Sequence, residues 1–382
     1  MEQIAGIHYE IPKNELPESF KKYRDTYEIT PGAPIYMKEF GYLSIDRWVS
    51  EGHINSVWDL PALCGMDQNA VYGPYILGWC EAAFMPMFED KLLEDRGETE
   101  LVQDCAGRKV SFFKGRRNGY MPAYEDHPVK DMKTWEALCK WRLDPKSPDR
   151  LEHARNRAKE GVEYAKGGYL MQQPVIGGYM YLRSLIGDEE LMYQFYDAPE
   201  LIHDCMKTWF DVSDTVIAEI QKFYTLDELY LGEDICYNHG SLISAEMMDE
   251  FLLPYYQQLI DNIKKRQIDK NRKLYIYVDT DGDCRPVIPV YKKLGLDVMS
   301  PFEVASNCDV VEIGKQYPDL VLSGGIDKRE LANGKEAIDR MLDRIMPTMK
   351  ARGGYIPTCD HDVPAEVAFE DYLYFRKRLA EY

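Results

Sequence analysis

A pair of aspartates closes one of the apolar stretches of this sequence. Positions 273–283 read Lys-Leu-Tyr-Ile-Tyr-Val-Asp-Thr-Asp-Gly-Asp. Strand alternation places Tyr275, Tyr277, Asp279 and Asp281 on one face and mostly aliphatic residues on the other. Two carboxylates at the carboxyl end of a strand are candidates for binding a metal ion or for acid/base chemistry. The Asp-Gly-Asp sequence is equally typical of a polar turn that only ends a strand.

More acidic residues follow other predicted strands. They are Glu233, Asp234, Asp283, Glu303, Asp327, Asp360 and Asp362. Carboxylates gathered at one edge repel one another unless a cation, protonation or basic partners compensate for their charge, and we expect a metal ion. His361 lies among these acids, where a neighbouring carboxylate can orient its imidazole. A merely solvated loop histidine is the alternative interpretation.

Strands and helices alternate regularly from about position 168 to the end, which favours a parallel sheet. The predicted strands cover 169–175, 229–234, 273–281, 298–303, 320–325 and 354–358. We predict an α/β fold, a closed (β/α)₈ TIM-type barrel, with two less regular strands earlier, one of them at 57–60. The carboxyl ends of the strands then line one mouth. An open doubly wound sheet is disfavoured because no Gly-x-Gly-x-x-Gly turn follows a strand.

The domain prediction places one barrel domain over residues 51–382. Residues 1–50 are predicted to be an N-terminal extension that wraps the domain or meets a partner subunit. The alternating segments around Cys105-Ala-Gly-Arg108 predict a β-hairpin insertion over 98–113.

Composition narrows the possible partners. The formal charge of −19 and the pI near 4.9 argue against nucleic acid or an anionic membrane as partner. The nine cysteines never form a Cys-x-x-Cys pair, so neither a zinc knuckle nor a redox motif is visible. No signal peptide or apolar run of membrane-spanning length is evident, and we expect a soluble, cytoplasmic protein.

Three stretches resemble the uroporphyrinogen decarboxylase superfamily, over about residues 165–382. They are Leu-Ile-Ser-Ala-Glu-Met-Met-Asp-Glu-Phe-Leu-Leu-Pro-Tyr-Tyr at 242–256, Gly-Gly-Ile-Asp at 324–327, and Gly-Gly-Tyr-Ile through Cys-Asp-His at 353–361. The resemblance implies a (β/α)₈ barrel. The superfamily contains porphyrin decarboxylases and zinc-dependent methyltransferases that exchange methyl groups with corrinoid proteins.

The methyltransferase branch binds zinc through a His-x-Cys pair after the fifth strand and a Cys after the last. Those positions match Asp279, Asp281 and His361, so every ligand type differs here. An Asp-Asp-His set is harder than a thiolate site and would also suit manganese or iron. The resemblance therefore implies a divalent metal, zinc first, that activates an ether oxygen in an O-demethylase type of reaction.

The decarboxylase branch is a poorer match. Its amino-terminal Met-Arg-Gln-Ala-Gly-Arg stretch, whose arginines hold substrate carboxylates, is absent, and Asp-Arg-Trp-Val-Ser stands at 46–50. Its histidine after the last strand does match His361. An acidic mouth without those arginines is a poor receptor for a porphyrin with many carboxylates.

The leading hypothesis is a metal-dependent methyltransferase that moves a methyl group from a small molecule to a corrinoid protein. Asp279, Asp281 and His361 bind the metal, and Glu303 or Glu233 completes its shell or protonates the leaving group. No Asp-x-His-x-x-Gly corrinoid-binding sequence occurs, so the corrinoid protein is a separate partner. The resemblance also implies a homodimer.

Two alternative functions stay open. The same residues are expected to contact the substrate or ligand under each of the three hypotheses. One is a lyase resembling uroporphyrinogen decarboxylase that acts on a small carboxylate without metal. The other is a non-catalytic, ligand-binding barrel. The substrate-contacting candidates are Asp234, Tyr237, Tyr277, Phe302 and Asp327, which lie near strand ends.

Overall fold

The computed structural model describes residues 11–117 and 122–382. The first ten positions of the predicted N-terminal extension therefore lie outside the described residues. Within the described ranges the strands are β1 (Val71–Tyr72), β2 (Lys91–Asp95), β3 (Thr99–Gln103), β4 (Lys109–Phe113), β5 (Ala123–Asp126), β6 (Leu170–Ile176), β7 (Glu228–Gly232), β8 (Cys236–Tyr237), β9 (Gly240–Ser241), β10 (Tyr275–Asp279), β11 (Leu296–Ser300), β12 (Val321–Ser323) and β13 (Tyr355–Ile356).

The α-helices begin before the first strand and continue to the end of the chain. They are α1 (Glu18–Tyr27), α2 (Ile45–Ser50), α3 (Leu60–Leu63), α4 (Met132–Thr134), α5 (Pro148–Lys166), α6 (Gly178–Ile186), α7 (Asp188–Asp197), α8 (Pro199–Ile220), α9 (Ala245–Phe251), α10 (Leu253–Arg266), α11 (Ile288–Lys292), α12 (Val310–Gln316), α13 (Lys335–Arg352) and α14 (Phe369–Ala380). None of the described helices is long and apolar enough to cross a membrane.

The chain forms two compact units. The first contains Tyr72–Ile235 and Ile243–Leu274, and the second contains Cys236–Leu242, Tyr275–Tyr382 and the described residues up to position 71. The predicted division into residues 1–50 and 51–382 stays a prediction.

In the first unit, β6 and β7 pair in parallel from Gln172↔Glu228 to Ile176↔Gly232. All seven residues of β6 are buried, as expected for a strand of a parallel sheet covered on both faces. Helices α5, α8 and α10 pack together, with the apolar side of α8 buried. The segments around Cys105–Arg108 form the antiparallel pair β3–β4, which belongs to a four-stranded sheet in the order β2-β3-β4-β5.

In the second unit, β10, β11, β12 and β13 pair in parallel in chain order. The centre of β10 is a buried Ile-Tyr-Val run, and such residues pack well on a pleated surface. Helices α12 and α13 contact each other and follow β11 and β12 along the chain. The carboxyl ends of these four strands therefore face the same way and bring the loops that follow them to one edge.

Local sequence explains where several helices begin. The Ser244 hydroxyl accepts a hydrogen bond from the Met247 amide and caps α9. Pro254 lies in the first turn of α10, where its missing N–H costs nothing.

The strand predicted at 57–60 is wrong. Val57–Asp59 is a 3₁₀ turn and α3 follows it at once. Ser56 and Asp59 form a capping box, which closes a helix start rather than a strand. Parallel pairing and strand–helix alternation confirm the α/β class, whereas closure into an eight-stranded barrel stays a prediction.

Candidate active site

The site is built on the loops that follow the strands of the second unit. Strand β10 ends at Asp279, whose neighbour across the parallel ladder is Ser300, the last residue of β11. The Ser300 hydroxyl donates a hydrogen bond to the Asp279 carboxylate. Gly282 then turns the chain at φ +76°, and a Cβ there would lie 2.7 Å from the Tyr237 carbonyl oxygen, so only glycine fits.

His361 lies between two carboxylates. Its Nε2 is 3.6 Å from Asp281 Oδ2, and its Nδ1 is 3.5 Å from Asp362 Oδ2. The Phe40 ring covers the imidazole with a centroid distance of 4.9 Å. Interaction with Asp281 first and Asp362 second raises the pKa of His361 to about 10, although partial burial opposes the shift. The ring is therefore an imidazolium at neutral pH with one acid facing each nitrogen.

The predicted metal ligands come only partly together. Asp281 and His361 meet, while the Asp279 carboxylate is engaged by Ser300. Across residues 11–117 and 122–382, no three His, Cys, Asp or Glu side chains are arranged to hold a metal ion. The donor set in this arrangement does not fit a zinc site, which needs three or four converging ligands. Metal binding by these three residues stays a prediction.

Two of the acids at the strand ends carry their own arginine two residues further along. Asp283 accepts hydrogen bonds of 2.8 Å from Nε and Nη2 of Arg285. Arg329 holds Asp327 in the same forked way at 2.8 and 2.7 Å. The bonds from Arg285 lower the pKa of Asp283; burial would raise that of Asp327, but Arg329 outweighs it and the pKa falls. These acids are ionised and paired, so they need no metal to compensate their charge.

Lys328 compensates for the negative charge of two further acids, Glu303 and Asp360. Its Nζ is 3.5 Å from Glu303 Oε1 and 4.0 Å from Asp360 Oδ1. Asp360 is buried and accepts backbone hydrogen bonds from Val304 and Lys328 at 2.8 and 3.1 Å, so it ties the loops together. Glu303 also accepts the Gly282 amide at 2.9 Å. Lys328 directly follows Asp327 at a strand end, and this position was the signal by which it could have been found.

Glu233 and Asp234 belong to the first unit, after β7. Glu233 is fully buried, and its oxygens accept the Tyr256 hydroxyl at 2.7 and 2.9 Å. A Cβ on Gly177 would lie 1.6 Å from Glu233 Oε2, so the glycine makes room for this carboxylate. Asp234 has φ +45° and accepts a 2.7 Å hydrogen bond from Arg183.

The predicted aromatic pocket residues differ in exposure. Tyr237 is 64% exposed, whereas Tyr277 is buried within β10 and Phe302 is fully buried at φ +58°. Among the three, Tyr237 is the one that a ligand can reach without rearrangement. Phe40 also reaches the site, at 41% exposure, and nothing in the local sequence marks it because it lies more than three hundred positions from His361.

Comparison with known proteins agrees with this arrangement at the level of fold. The family model described as uroporphyrinogen decarboxylase (URO-D) matches residues 113–382. A solved methyltransferase from Methanosarcina mazei is similar with a TM-score of 0.56, 10% identity, and coverage of 95% of this chain and 98% of that chain. At this identity the likeness shows the fold alone.

Weaker likenesses add nothing to the argument. A Bacteroidetes-affiliated GH5 cellulase matches with a TM-score of 0.29 and 11% identity over 59% of this chain and 73% of that chain. No curated protein matches the sequence. Since the URO-D model spans well over half of the residues, the resemblance seen in the sequence is confirmed, and the chain belongs to the uroporphyrinogen decarboxylase family.

Proposed function

We propose that this protein is a methyltransferase that removes a methyl group from an ether oxygen of a small molecule, with His361 as the general acid. The observation that carries the proposal is the position of His361 after the last strand, with Asp281 facing one ring nitrogen and Asp362 facing the other. Family membership and the shared fold with a methyltransferase support it. The catalytic barrel is proposed to be a closed (β/α)₈ barrel.

In this reaction the protonated His361 ring serves as the proton donor for the leaving oxygen. When the oxygen–methyl bond breaks, the electron pair stays on the oxygen, and a proton from His361 converts the leaving alkoxide or phenoxide to a neutral alcohol. A donor whose pKa is about 10 is matched to a phenolic oxygen, whose own pKa is also about 10. The exposed Tyr237 and Phe40 rings supply aromatic surface of the kind that would contact such a substrate.

The acceptor is proposed to be a corrinoid on a separate protein, whose reduced cobalt supplies the nucleophile for the methyl group. Asp281 and Asp362 keep the proton donor charged until the leaving oxygen forms. We also propose that the protein works as a cytoplasmic homodimer. Sedimentation equilibrium tests the dimer, and a single species at about 44 kDa would contradict it.

The test is turnover of a panel of aryl and alkyl methyl ethers with free cob(I)alamin as acceptor. We expect methylcobalamin and the free alcohol in equal amounts, and loss of both with His361→Gln. Control reactions use the unaltered protein without ether. A folded protein that turns over no methyl ether in this assay would contradict the proposal.

The zinc hypothesis has its own measurement. Elemental analysis of the purified protein beside an Asp279→Ala variant decides whether a divalent ion is bound. About one ion per chain that disappears in the variant would support the Asp279, Asp281 and His361 ligand set. A metal-free protein that turns over normally would contradict it.

A decarboxylase-like lyase is the second candidate, favoured by the family that the chain belongs to. There the carbon–carboxylate bond breaks, the pair stays on carbon, and His361 would protonate that carbon. Release of carbon dioxide from small carboxylates, without methylcobalamin, would favour this reaction. A folded chain that does neither would favour the non-catalytic barrel.

A further inference from the structure

The loop that carries His361 pairs with a segment near the amino end of the chain. The Val363 amide donates to the Gly41 carbonyl at 2.9 Å, and the Leu43 amide donates to the Val363 carbonyl at 2.9 Å. Tyr42 and Val363 form a parallel β-bridge. The backbone just after His361 and Asp362 is therefore fixed by residues more than three hundred positions away.

Glu39 fixes the other side of the same loop. Its Oε1 accepts the Cys359 amide at 2.8 Å, and its Oε2 accepts the Tyr372 hydroxyl at 3.1 Å. Arg376 Nη1 lies 3.5 Å from Glu39 Oε2, and both side chains are 1% exposed. Burial raises the pKa of Glu39 while Arg376 opposes the rise. A buried charged group with this many partners is costly to move, so it is a firm anchor.

Gly41 makes room for one of the two carboxylates that flank His361. A Cβ on Gly41 would lie 1.7 Å from Asp362 Oδ1, and the glycine does not have the positive φ that would require it for backbone reasons. The position is therefore kept small by the Asp362 side chain. Phe40, the residue between Glu39 and Gly41, covers the imidazole ring itself.

We propose that residues 39–43 are a positioning clamp, in which Glu39 and Gly41 hold the 359–363 loop so that His361 stays between Asp281 and Asp362. The proposal rests on the proposed function in one respect, namely that His361 is the group whose position matters for turnover. In this proposal Glu39 and Gly41 are positioning residues that act through the 359–363 loop and not on the substrate directly. The geometry of the clamp can be measured without any substrate.

The first experiment is a crystal structure of Gly41→Ala beside that of the unaltered protein. We expect Asp362 to move away from His361, so that the 3.5 Å separation between Nδ1 and Oδ2 becomes clearly longer. Gly167→Ala is the matched control, because Gly167 has φ −78° at the exposed end of α5. An unchanged separation in Gly41→Ala would overturn the proposal, whatever reaction the protein catalyses.

The second experiment is a double-mutant cycle in kcat. We expect Gly41→Ala to lower kcat by about tenfold or more with a smaller change in KM, since small misplacements of catalytic groups have large kinetic effects. In an Asp362→Ala background the same change should have almost no further effect, because the displaced carboxylate is already gone. Additive losses would mean that Gly41 acts through general stability, which overturns the positioning role.

Glu39 is tested by comparing two substitutions. Glu39→Gln keeps an oxygen that accepts the Cys359 amide and should retain most turnover, whereas Glu39→Ala should lose it. Equal losses in both would assign the effect to the buried charge pair with Arg376 and overturn the anchoring of Cys359. If Glu39→Ala fails to fold, the Gly41 cycle still decides the proposal. If the protein moves no methyl group, the structure of Gly41→Ala decides the clamp separately from the proposed function.

Discussion

Two histidines of the second unit have similar neighbours and different geometry. His53 Nε2 lies 3.4 Å from Glu51 and 3.6 Å from Glu370, and its ring stacks on Phe369 with a centroid distance of 4.9 Å. His361 likewise has two carboxylates and an aromatic ring at 4.9 Å. At His53, however, both acids approach the same nitrogen, whereas at His361 each nitrogen has its own acid.

This difference shows which arrangement of carboxylates favours the charged form of a histidine. Both N–H groups of an imidazolium are donors, and the charged form is favoured most when each has an anionic acceptor. One carboxylate lies 3.6 Å from Nε2 of His361 and another lies 3.5 Å from Nδ1, and Asp281 first and Asp362 second raise the pKa of His361 to about 10. His53 lies just after α2, and both glutamates near it are exposed, so these contacts contribute little to stability. The number of acids near a histidine therefore predicts its charge less well than the positions of those acids around the ring.

The largest expected effect contrasts the two histidines directly. If the proposed methyl transfer uses His361 as general acid, His361→Gln lowers kcat by about a hundredfold to ten-thousandfold, the range for loss of a general acid. His53→Gln is the matched control and should stay within about twofold of the unaltered protein, since surface changes are usually near neutral. Steady-state kinetics with circular dichroism as a folding check measures both. Equal losses of kcat in His361→Gln and His53→Gln would show that the different geometries of the two histidines have no bearing on activity.

The next effect separates the two acids that flank His361. We expect Asp281→Asn or Asp362→Asn to lower kcat by about tenfold, because either change removes one charge that holds the proton on the ring. The pH above which activity is lost should also fall from near 10 toward about 6.5, the ordinary histidine pKa. The pH–rate profile of each variant checks this. A variant whose activity is still lost only near pH 10 would argue against His361 as the acid.

A smaller effect concerns the pH dependence of stability. The folded-state pKa of His361 lies above its ordinary value, so its contribution is complete below about pH 6.5 and is lost as pH rises toward about 10. His361→Gln should therefore lower the free energy of unfolding by about 1 kcal/mol near pH 6 and by less near pH 10, the figure being modest because the ring is partly exposed. Urea denaturation at both pH values measures it. A larger loss of unfolding free energy near pH 10 than near pH 6 would contradict the pairing of His361 with Asp281 and Asp362.

The smallest expected effect is at the other histidine. Glu370→Gln removes one of the two acids near His53, and its side chain is 64% exposed. We expect a change below about 0.5 kcal/mol in the free energy of unfolding and unchanged turnover. Asp362→Asn in the same denaturation series is the comparison. A large loss of stability or turnover in Glu370→Gln would show that the exposure of an acid does not predict how much its contact with a histidine contributes.

Some of the site could be predicted from sequence alone. Their positions after strands predict that Asp281 and His361 lie at one edge of the sheet, and the structure brings them together. The compensation of Asp283 and Asp327 was missed, although each has an arginine two residues later in the sequence. The expectation of a metal ion rested partly on the number of acids, without their basic partners, and it stays a prediction. Charge repulsion depends on which groups end up adjacent. The position of Lys328 after a strand is visible in the sequence, but its pairing with Glu303 is not.

Local sequence also accounts for one failure. The 57–60 segment looks apolar enough for a strand, but Ser56 and Asp59 form a capping box and Pro61 lies in the first turn of α3. Side chains that satisfy the free amides of a helix start outweigh an apolar pattern only four residues long. These capping residues are visible in the sequence and predict a helix start at this segment.

The sequence by itself determined the alternation of buried strands with amphipathic helices, because hydrophobic period, helix caps and turn residues act within a few positions of one another. It also determined the family, whose matched residues cover most of the chain. Only the tertiary structure decided that Glu39 and Gly41 hold the loop of His361 and that an acid faces each of its nitrogens. Those contacts join residues far apart in the chain, and their free energy depends on burial and distance, which no local pattern encodes.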